Sequence, residues 1–220
     1  MRILIATILL TPVLVLLVSL AGRRWGPIVG GRLAALPLTS GPILLIAALG
    51  GGAGAARSVA EGSLAGLPAV VVFCAGYRIS AARCPWPVCL LIAGAATVVT
   101  AGLLGVLAMP GWTSVVLVGA VTVMAARQPA PASERRTALP AWELPLRMTV
   151  STALVLGISM LSRVADPHLA GVLATFPALS FVLAAMAHRR EGPGAAIELV
   201  HGMLAGLLPT VLFFLAVTVI

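Results

Sequence analysis

The chain has very little charge for its size. Of its 220 residues, 9% are charged, none is lysine, and 60% are hydrophobic. A soluble domain carries about a quarter charged residues, so this sequence lacks the polar surface that a water-facing protein needs. The composition excludes a soluble globular domain and predicts an all-α fold: a polytopic bundle of helices whose main partner is the lipid bilayer.

The positive charge is not gathered into a basic face. All 14 basic residues are arginines, placed singly or in pairs between apolar runs. A nucleic-acid surface needs a contiguous basic patch or stripe. We therefore expect no nucleic-acid partner, although the formal net charge is +8.

Residues that carry out catalysis or bind metals are also scarce. Cys74, Cys84 and Cys89 match neither a CxxC redox pair nor a zinc knuckle. The six acidic residues form no DxxD or HExxH pattern, and the sequence contains no GxSxG motif or phosphate-binding loop. We expect no enzyme activity, no cofactor and no metal, and we interpret His168 and His188, at the ends of apolar runs, as solvated.

Apolar runs fill most of the chain. A transmembrane helix needs about 20 apolar residues, and the sequence predicts about eight segments, of which the fifth is short for a span: 3–21, 27–49, 57–77, 86–108, 111–126, 145–163, 167–188 and 195–218. The first is too long for the apolar core of a signal peptide, which has 7–15 residues. A polar linker at 127–143 separates the last three segments from the others.

Arginines mark alternate loops between these segments. By the positive-inside rule, arginine-rich loops face the cytoplasm. The rule predicts a multi-pass protein of the cell membrane with both termini outside, a cytoplasmic 127–143 linker, and these cytoplasmic arginines: Arg23, Arg24, Arg78, Arg83, Arg127, Arg135, Arg136, Arg189 and Arg190.

Residues 140 positions apart match without a gap across three segments. The matches include prolines and paired glycines, which coincide by chance less often than small apolar residues: Pro27 with Pro167, Pro37 with Pro177, Gly31 with Gly171, Gly62 with Gly202, and Gly66 with Gly206. Five predicted spans separate the first segment from its copy, so the two copies run in opposite directions. The sequence therefore predicts an inverted repeat of units 1–82 and 145–220, connected by 83–144.

Pro37 and Pro177 each fall near the middle of a predicted span. A proline inside a helix removes a hydrogen bond and clashes one turn back. Such breaks at equivalent places in the two halves of a membrane protein indicate a transport site, while a purely structural kink is the alternative. The hydroxyls flanking them are candidate ligands or bond the helix carbonyls behind them: Thr39, Ser40, Thr175 and Ser180.

Few ionisable residues lie within or at the edges of spans. Burying charge in a membrane is costly, so Arg32, Arg57, Glu61, Glu198 and His201 are functional candidates. Glu61 and His201 occupy equivalent positions, and we expect pairs between Arg57 and Glu61 and between Glu198 and His201 on single helix faces. The alternative is that these groups only lie at the membrane interface.

A GxxxG pattern precedes a matched proline in each half, at Gly62–Gly66 and at Gly202–Gly206. Small residues four apart allow helices to approach closely. We interpret both as tight packing inside the bundle, with a homodimer seam as the alternative.

The second half resembles the GlpM family of small bacterial inner-membrane proteins. The shared features are Leu169-Ala170-Gly171, Phe176-Pro177, His188, Glu191 and the apolar run around Pro209. The resemblance covers about 160–218 and, through the repeat, more loosely 20–77. It implies a polytopic membrane protein and assigns no catalytic or binding residue, and this chain departs from the family in joining two such units.

These patterns favour a small secondary transporter or exporter of a small solute, working by alternating access and with a proton as a candidate coupling ion. A flippase for lipid-linked intermediates is the second reading. A scaffold or accessory subunit that transports nothing is the third.

Overall fold

The computed structural model describes residues 2–38, 40–107, 111–127, 142–162 and 164–219, without the side chains of residues 2–11, 42, 46 and 126. Within these ranges all regular secondary structure is α-helix. The helices are α1 Arg2–Trp25, α2 Pro27–Ala34, α3 Ser40–Ala81, α4 Trp86–Leu107, α5 Gly111–Arg127, α6 Glu143–Ser162, α7 Pro167–Ala174, α8 Ala178–Glu191 and α9 Pro193–Val219.

Five helical stretches are long and apolar enough to cross a membrane, which confirms the prediction of a helical membrane protein. They are Ala47–Ala81, Trp86–Leu107, Glu143–Ser162, Pro167–Glu191 and Pro193–Val219. Gly111–Ala125 is apolar but shorter, as the sequence predicts for the fifth segment. The count of about eight spans stays a prediction.

Helix boundaries recur at a spacing of 140 residues. Helix α2 begins at Pro27 and α7 at Pro167, positions where proline is favoured because its fixed φ suits the first helical turn. The next joints also match, because Gly52 interrupts α3 with φ 72° and Gly192 separates α8 from α9 with φ 88°. Glycine reaches positive φ without the steric cost other residues meet, so each joint depends on its glycine.

Several extensive helix contacts connect the two halves of the chain. Helix α3 packs on α7, and α2 packs on α9; α1 lies against α6. The core between them is formed by α3, α8 and α9, whose largest fully buried side chains include Phe73, Tyr77, Met203 and Phe214. Helices α4 and α6 lie at the periphery and leave most of their apolar surface outside the protein core, where lipid can cover it.

The GxxxG glycines lie in the α3–α7 and α2–α9 contacts. A methyl group on Gly62 would overlap the carbonyl oxygen of His168 in α7, and one on Gly202 would overlap the carbonyl oxygen of Ile28 in α2. Gly66 and Gly206 similarly face residues of α7 and α2. The prediction of tight packing inside the bundle is confirmed, whereas the homodimer stays a prediction.

Candidate functional site

Pro37 and Pro177 each form the centre of a tight turn between two helices, α2 and α3 at the first break and α7 and α8 at the second. At the first break, Leu38 N donates to Leu36 O at 2.6 Å, and at the second, Ala178 N donates to Phe176 O at 2.8 Å. Pro177 has φ −78° and ψ 55°, close to the inverse γ-turn, in which a residue's carbonyl accepts from the amide two positions on. Because proline fixes φ near that value, the prediction of broken helices is confirmed.

The hydrogen bonds that close the two breaks also correspond. Gly41 N donates to Pro37 O and Phe181 N donates to Pro177 O, both at 2.8 Å. Each proline carbonyl therefore satisfies an amide in the first turn of the following helix. The first turn of each of these helices therefore has one fewer amide without a hydrogen-bond acceptor.

The two breaks meet at a cavity of about 40 Å³. Residues 34–38 and 174–178 line it from the two breaks, and helices α3, α8 and α9 supply the rest: Ser40, Leu67, Val70, Leu179, Ser180, Met203, Leu207, Thr210 and Phe214. The structure thus brings together five of the predicted site residues: Pro37, Ser40, Thr175, Pro177 and Ser180. Thr39 lies outside the described residues.

The hydroxyls around the cavity have different partners. Thr175 Oγ1 donates to Val172 O at 2.7 Å, which is the interpretation in which a hydroxyl only bonds the helix behind it. Thr210 Oγ1 donates across the bundle to Ala35 O at 2.6 Å, a carbonyl at the α2 end. Ser180 is fully buried and its Oγ has no hydrogen-bond partner. Sequence reasoning did not single out Thr210, because its role depends on a contact 175 residues away.

The ionisable candidates lie away from this cavity. Arg57 Nε and Glu61 Oε1 are 3.1 Å apart, and both side chains are about half exposed, so the predicted pair is confirmed. They line a separate cavity of about 580 Å³ together with His168 and Trp112.

Glu198 and His201, in contrast, are buried, and His201 Nδ1 has no hydrogen-bond partner. Arg32 is exposed, and its backbone packs against Gly206. None of Arg32, Glu61, Glu198 and His201 is among the described residues that line the cavity at the breaks.

A buried ion-pair cluster joins α6 to α8, and sequence reasoning missed it. Glu143 is fully buried; Arg147 Nε lies 3.0 Å from its Oε1, and Arg190 Nη1 lies 2.8 Å from its Oε2. Next to it, the Arg189 guanidinium stands 5.8 Å from the centre of the Trp142 ring. The spacing of Glu143 and Arg147 by four residues was an available signal, but the arginine of α8 was not predictable from local sequence.

The interpretation of His188 as solvated is wrong. His188 is buried, and its Nδ1 lies 3.3 Å from the Tyr77 hydroxyl, which also donates to Ala184 O. The residue is at the end of its span, as predicted, but the C-terminal part of α3 covers it. Position within a span therefore did not determine exposure.

Within the ranges that the structure describes, no group of three or more His, Cys, Asp or Glu side chains is placed to hold a metal ion. No family model, curated protein or solved structure matches the chain. The GlpM resemblance accordingly stays a prediction, and the function rests on the geometry of the chain itself.

Proposed function

We propose that this protein is a small secondary transporter or exporter that moves a small solute across the cell membrane by alternating access. The observation that carries the proposal is the pair of proline-centred helix breaks that line one cavity. Discontinuous helices of this kind, at equivalent places in two halves, form the binding sites of several transporter folds. The likeness to those folds is one of architecture.

An inverted repeat supplies the conformational change. Units 1–82 and 145–220 are the two copies, and exchanging their conformations converts an outward-open cavity into an inward-open one. The reciprocal packing of α3 on α7 and α2 on α9 supports this arrangement, because each unit contributes its first short helix to the other unit's long one. The connecting region 83–144 completes the bundle of about eight spans.

The grouping of polar residues supports the assignment of each group to one face of the membrane, and the positive-inside rule puts both termini outside. Residues assigned to the outer face line one cavity: Arg57, Glu61, Trp112 and His168. Residues assigned to the cytoplasmic face contact one another: Tyr77 with His188, and Glu143 with Arg190. Along α3, Glu61 and Tyr77 are about 24 Å apart at the rise of an α-helix, so the two groups lie near opposite ends.

The coupling role of Glu61 and His201 is part of the proposal. By the orientation above, Glu61 lies toward the outside and His201 toward the cytoplasm, so each would meet the solute or a proton on a different side of the cavity. The ion pair of Glu61 with Arg57 and the burial of His201 give the two positions different environments.

The test is solute binding followed by counterflow. The detergent-purified chain is screened by thermal melting against a panel of small solutes, and the stabilising ones are carried into proteoliposomes. We expect saturable counterflow that falls at least tenfold in the double variant Pro37→Ala/Pro177→Ala, because alanine lets the helices continue through the breaks. Pro209→Ala is the matched control, since Pro209 is an exposed proline inside α9 that does not line the cavity.

Two results contradict the proposal. One is a wild-type protein that binds and moves none of the solutes. The other is counterflow by the double proline variant at the wild-type rate. If in addition Glu61→Gln and His201→Ala leave the cellular phenotype unchanged while alanine at the GxxxG glycines abolishes it, the scaffold or accessory-subunit reading is favoured.

One observation favours a flippase as the second candidate. An apolar cavity of about 380 Å³ lies between α3, α4 and α7 and reaches Thr175 and Phe176 at the second break. Its outer wall includes Val98 and Val106, which are strongly exposed and would face lipid. A fluorescent lipid whose loss by dithionite reports exchange between leaflets tests this reading, and scrambling no faster than in protein-free liposomes excludes it.

A further inference from the structure

The cavity at the breaks is small in this conformation. A site for one water molecule needs only about 10–15 Å³, and this cavity offers about 40 Å³. It therefore has room for a small ion together with a few water molecules.

Two threonines present acceptors to the cavity. A hydroxyl carries one hydrogen and two lone pairs. Thr175 Oγ1 donates its hydrogen to Val172 O, and Thr210 Oγ1 donates its hydrogen to Ala35 O. Both residues line the cavity, so their oxygens have only lone pairs left to offer.

Two serines add further oxygens at equivalent positions of the two breaks. Ser40 and Ser180 are both buried and both line the cavity. The Ser180 hydroxyl has no hydrogen-bond partner. A buried polar group without a partner is unusual in a folded protein, and a ligand in the adjoining cavity would satisfy it.

Several backbone amides near the cavity already have hydrogen-bond acceptors. Leu38 N, Gly41 N, Ala178 N and Phe181 N, at the starts of α3 and α8, already donate to carbonyls of the breaks. The C-terminal ends of α2 and α7 and the N-terminal ends of α3 and α8 all reach the cavity, so the partial charges of the helix ends oppose one another. The lone pairs of the hydroxyls therefore decide the preference, and they favour a cation over an anion.

We infer that the cavity binds one small, hard monovalent cation, Na⁺. Its ligands are backbone carbonyls of the two breaks and four hydroxyl oxygens, those of Ser40, Thr175, Ser180 and Thr210. Unwound carbonyls and helix C-termini coordinate Na⁺ in transporters built on discontinuous helices. Among the described lining residues no carboxylate is present to match Ca²⁺ or Mg²⁺. The same lining holds no Asp, Glu or His to carry a proton.

The inference rests on the proposed function and names Na⁺, in place of a proton, as its coupling ion. Its test is Na⁺ binding to the full-length chain in detergent or nanodiscs. Thermal melting is compared in NaCl, KCl and choline chloride at equal ionic strength, and ²²Na⁺ binding gives the affinity. We expect Na⁺ to raise the melting temperature above that in choline, and Ser180→Ala to weaken ²²Na⁺ binding at least tenfold.

Ser151→Ala is the matched control. Ser151 is another fully buried serine whose hydroxyl has no partner, but it lies on α6 away from the cavity, so the variant should bind Na⁺ like the wild type. Melting of Ser180→Ala in choline reports whether that variant is folded. Thr210→Val is a second variant, expected to weaken Na⁺ binding as well.

Equal melting in the three salts without specific ²²Na⁺ binding overturns the inference. So does wild-type Na⁺ affinity in both Ser180→Ala and Thr210→Val. Counterflow that depends on the two prolines but not on Na⁺ leaves the proposed function standing and removes the coupling cation. Na⁺ binding without movement of any solute would confirm the cation site and contradict the proposed transport.

Discussion

At the scale of single residues, the glycines of the two GxxxG patterns determine how closely the helices approach. Alanine at Gly62 or Gly202 would place a methyl group on a neighbouring backbone carbonyl, which cannot move aside as a side chain can. The contact is between main chains, so the surrounding core has little freedom to repack. These positions therefore depend on the absence of a side chain more than on helix propensity.

We expect Gly62→Ala and Gly202→Ala each to destabilise the protein by about 1–3 kcal/mol, the usual cost of overpacking. Gly119→Ala and Gly157→Ala are the controls, because a methyl group at either position meets no atom within 4 Å. Thermal melting of the detergent-purified variants measures the difference. Equal melting temperatures in all four variants would show that the close approach does not occur.

The buried carboxylate of Glu143 is also expected to affect stability strongly. Its carboxylate is fully buried between Arg147 and Arg190, and removing one partner of a buried ion pair costs about 3–5 kcal/mol because the other charges stay buried. We expect Glu143→Gln to lower the melting temperature strongly.

The control for Glu143 is Glu61→Gln. The Arg57–Glu61 pair has the same spacing of four residues but is about half exposed, and exposed pairs contribute at most about 1 kcal/mol. Comparable losses of stability in the two variants would contradict the account of the buried cluster.

At the scale of helices, the ends produced by the two breaks are satisfied in different ways. At the second break, the Thr175 hydroxyl donates to a carbonyl of its own helix, α7. At the first break, the carbonyl at the end of α2 accepts instead from Thr210 of α9. The residue equivalent to Thr210 in the first unit is Val70, which has no hydroxyl. The two breaks therefore share a backbone path but not the same side-chain support.

We expect Thr210→Val to destabilise the protein by about 1–3 kcal/mol, since the buried Ala35 carbonyl would lose its partner. The matched control is Thr97→Val. Thr97 is equally buried, but it donates to Ala93 O one turn back in α4, so its loss should cost less than about 0.5 kcal/mol. Hydrogen exchange of the amides in residues 34–38 shows whether the effect is local to the first break. Unchanged exchange of these amides in Thr210→Val would contradict the prediction.

Sequence reasoning succeeded where a residue type has a local backbone consequence. Pro37 and Pro177 break their helices because proline lacks an amide hydrogen and fixes φ, and Gly62 and Gly202 mark close contacts because glycine lacks a side chain. These properties belong to the residues themselves and can be read without a structure.

It failed where the outcome depends on tertiary partners. His188 is covered by Tyr77, and Glu143 meets Arg190 of a different helix. The spacing of Glu143 and Arg147 indicates a pair on one helix face, but the exposed Arg57–Glu61 pair has the same spacing, so local sequence does not reveal burial. Whether Ser40 and Ser180 share a cavity likewise depends on how the two breaks pack.

At the scale of the whole molecule, the account depends on two halves that run in opposite directions through the membrane. Arg24 and Val164 are 140 residues apart, so they occupy equivalent positions at the C-terminal end of the first helix of each half, and both are exposed. If the halves are inverted, these two positions lie on opposite faces. If they are parallel, the positions share a face, and the breaks cannot exchange roles.

Labelling of single cysteines in intact cells tests this most directly. Of the native cysteines, Cys74 and Cys89 are fully buried, so Cys84→Ser is the background for Arg24→Cys and Val164→Cys. We predict that a membrane-impermeant maleimide labels Val164→Cys in intact cells and reaches Arg24→Cys only after the membrane is opened. Labelling of both positions from the same side would contradict the inverted arrangement and, with it, the case for alternating access.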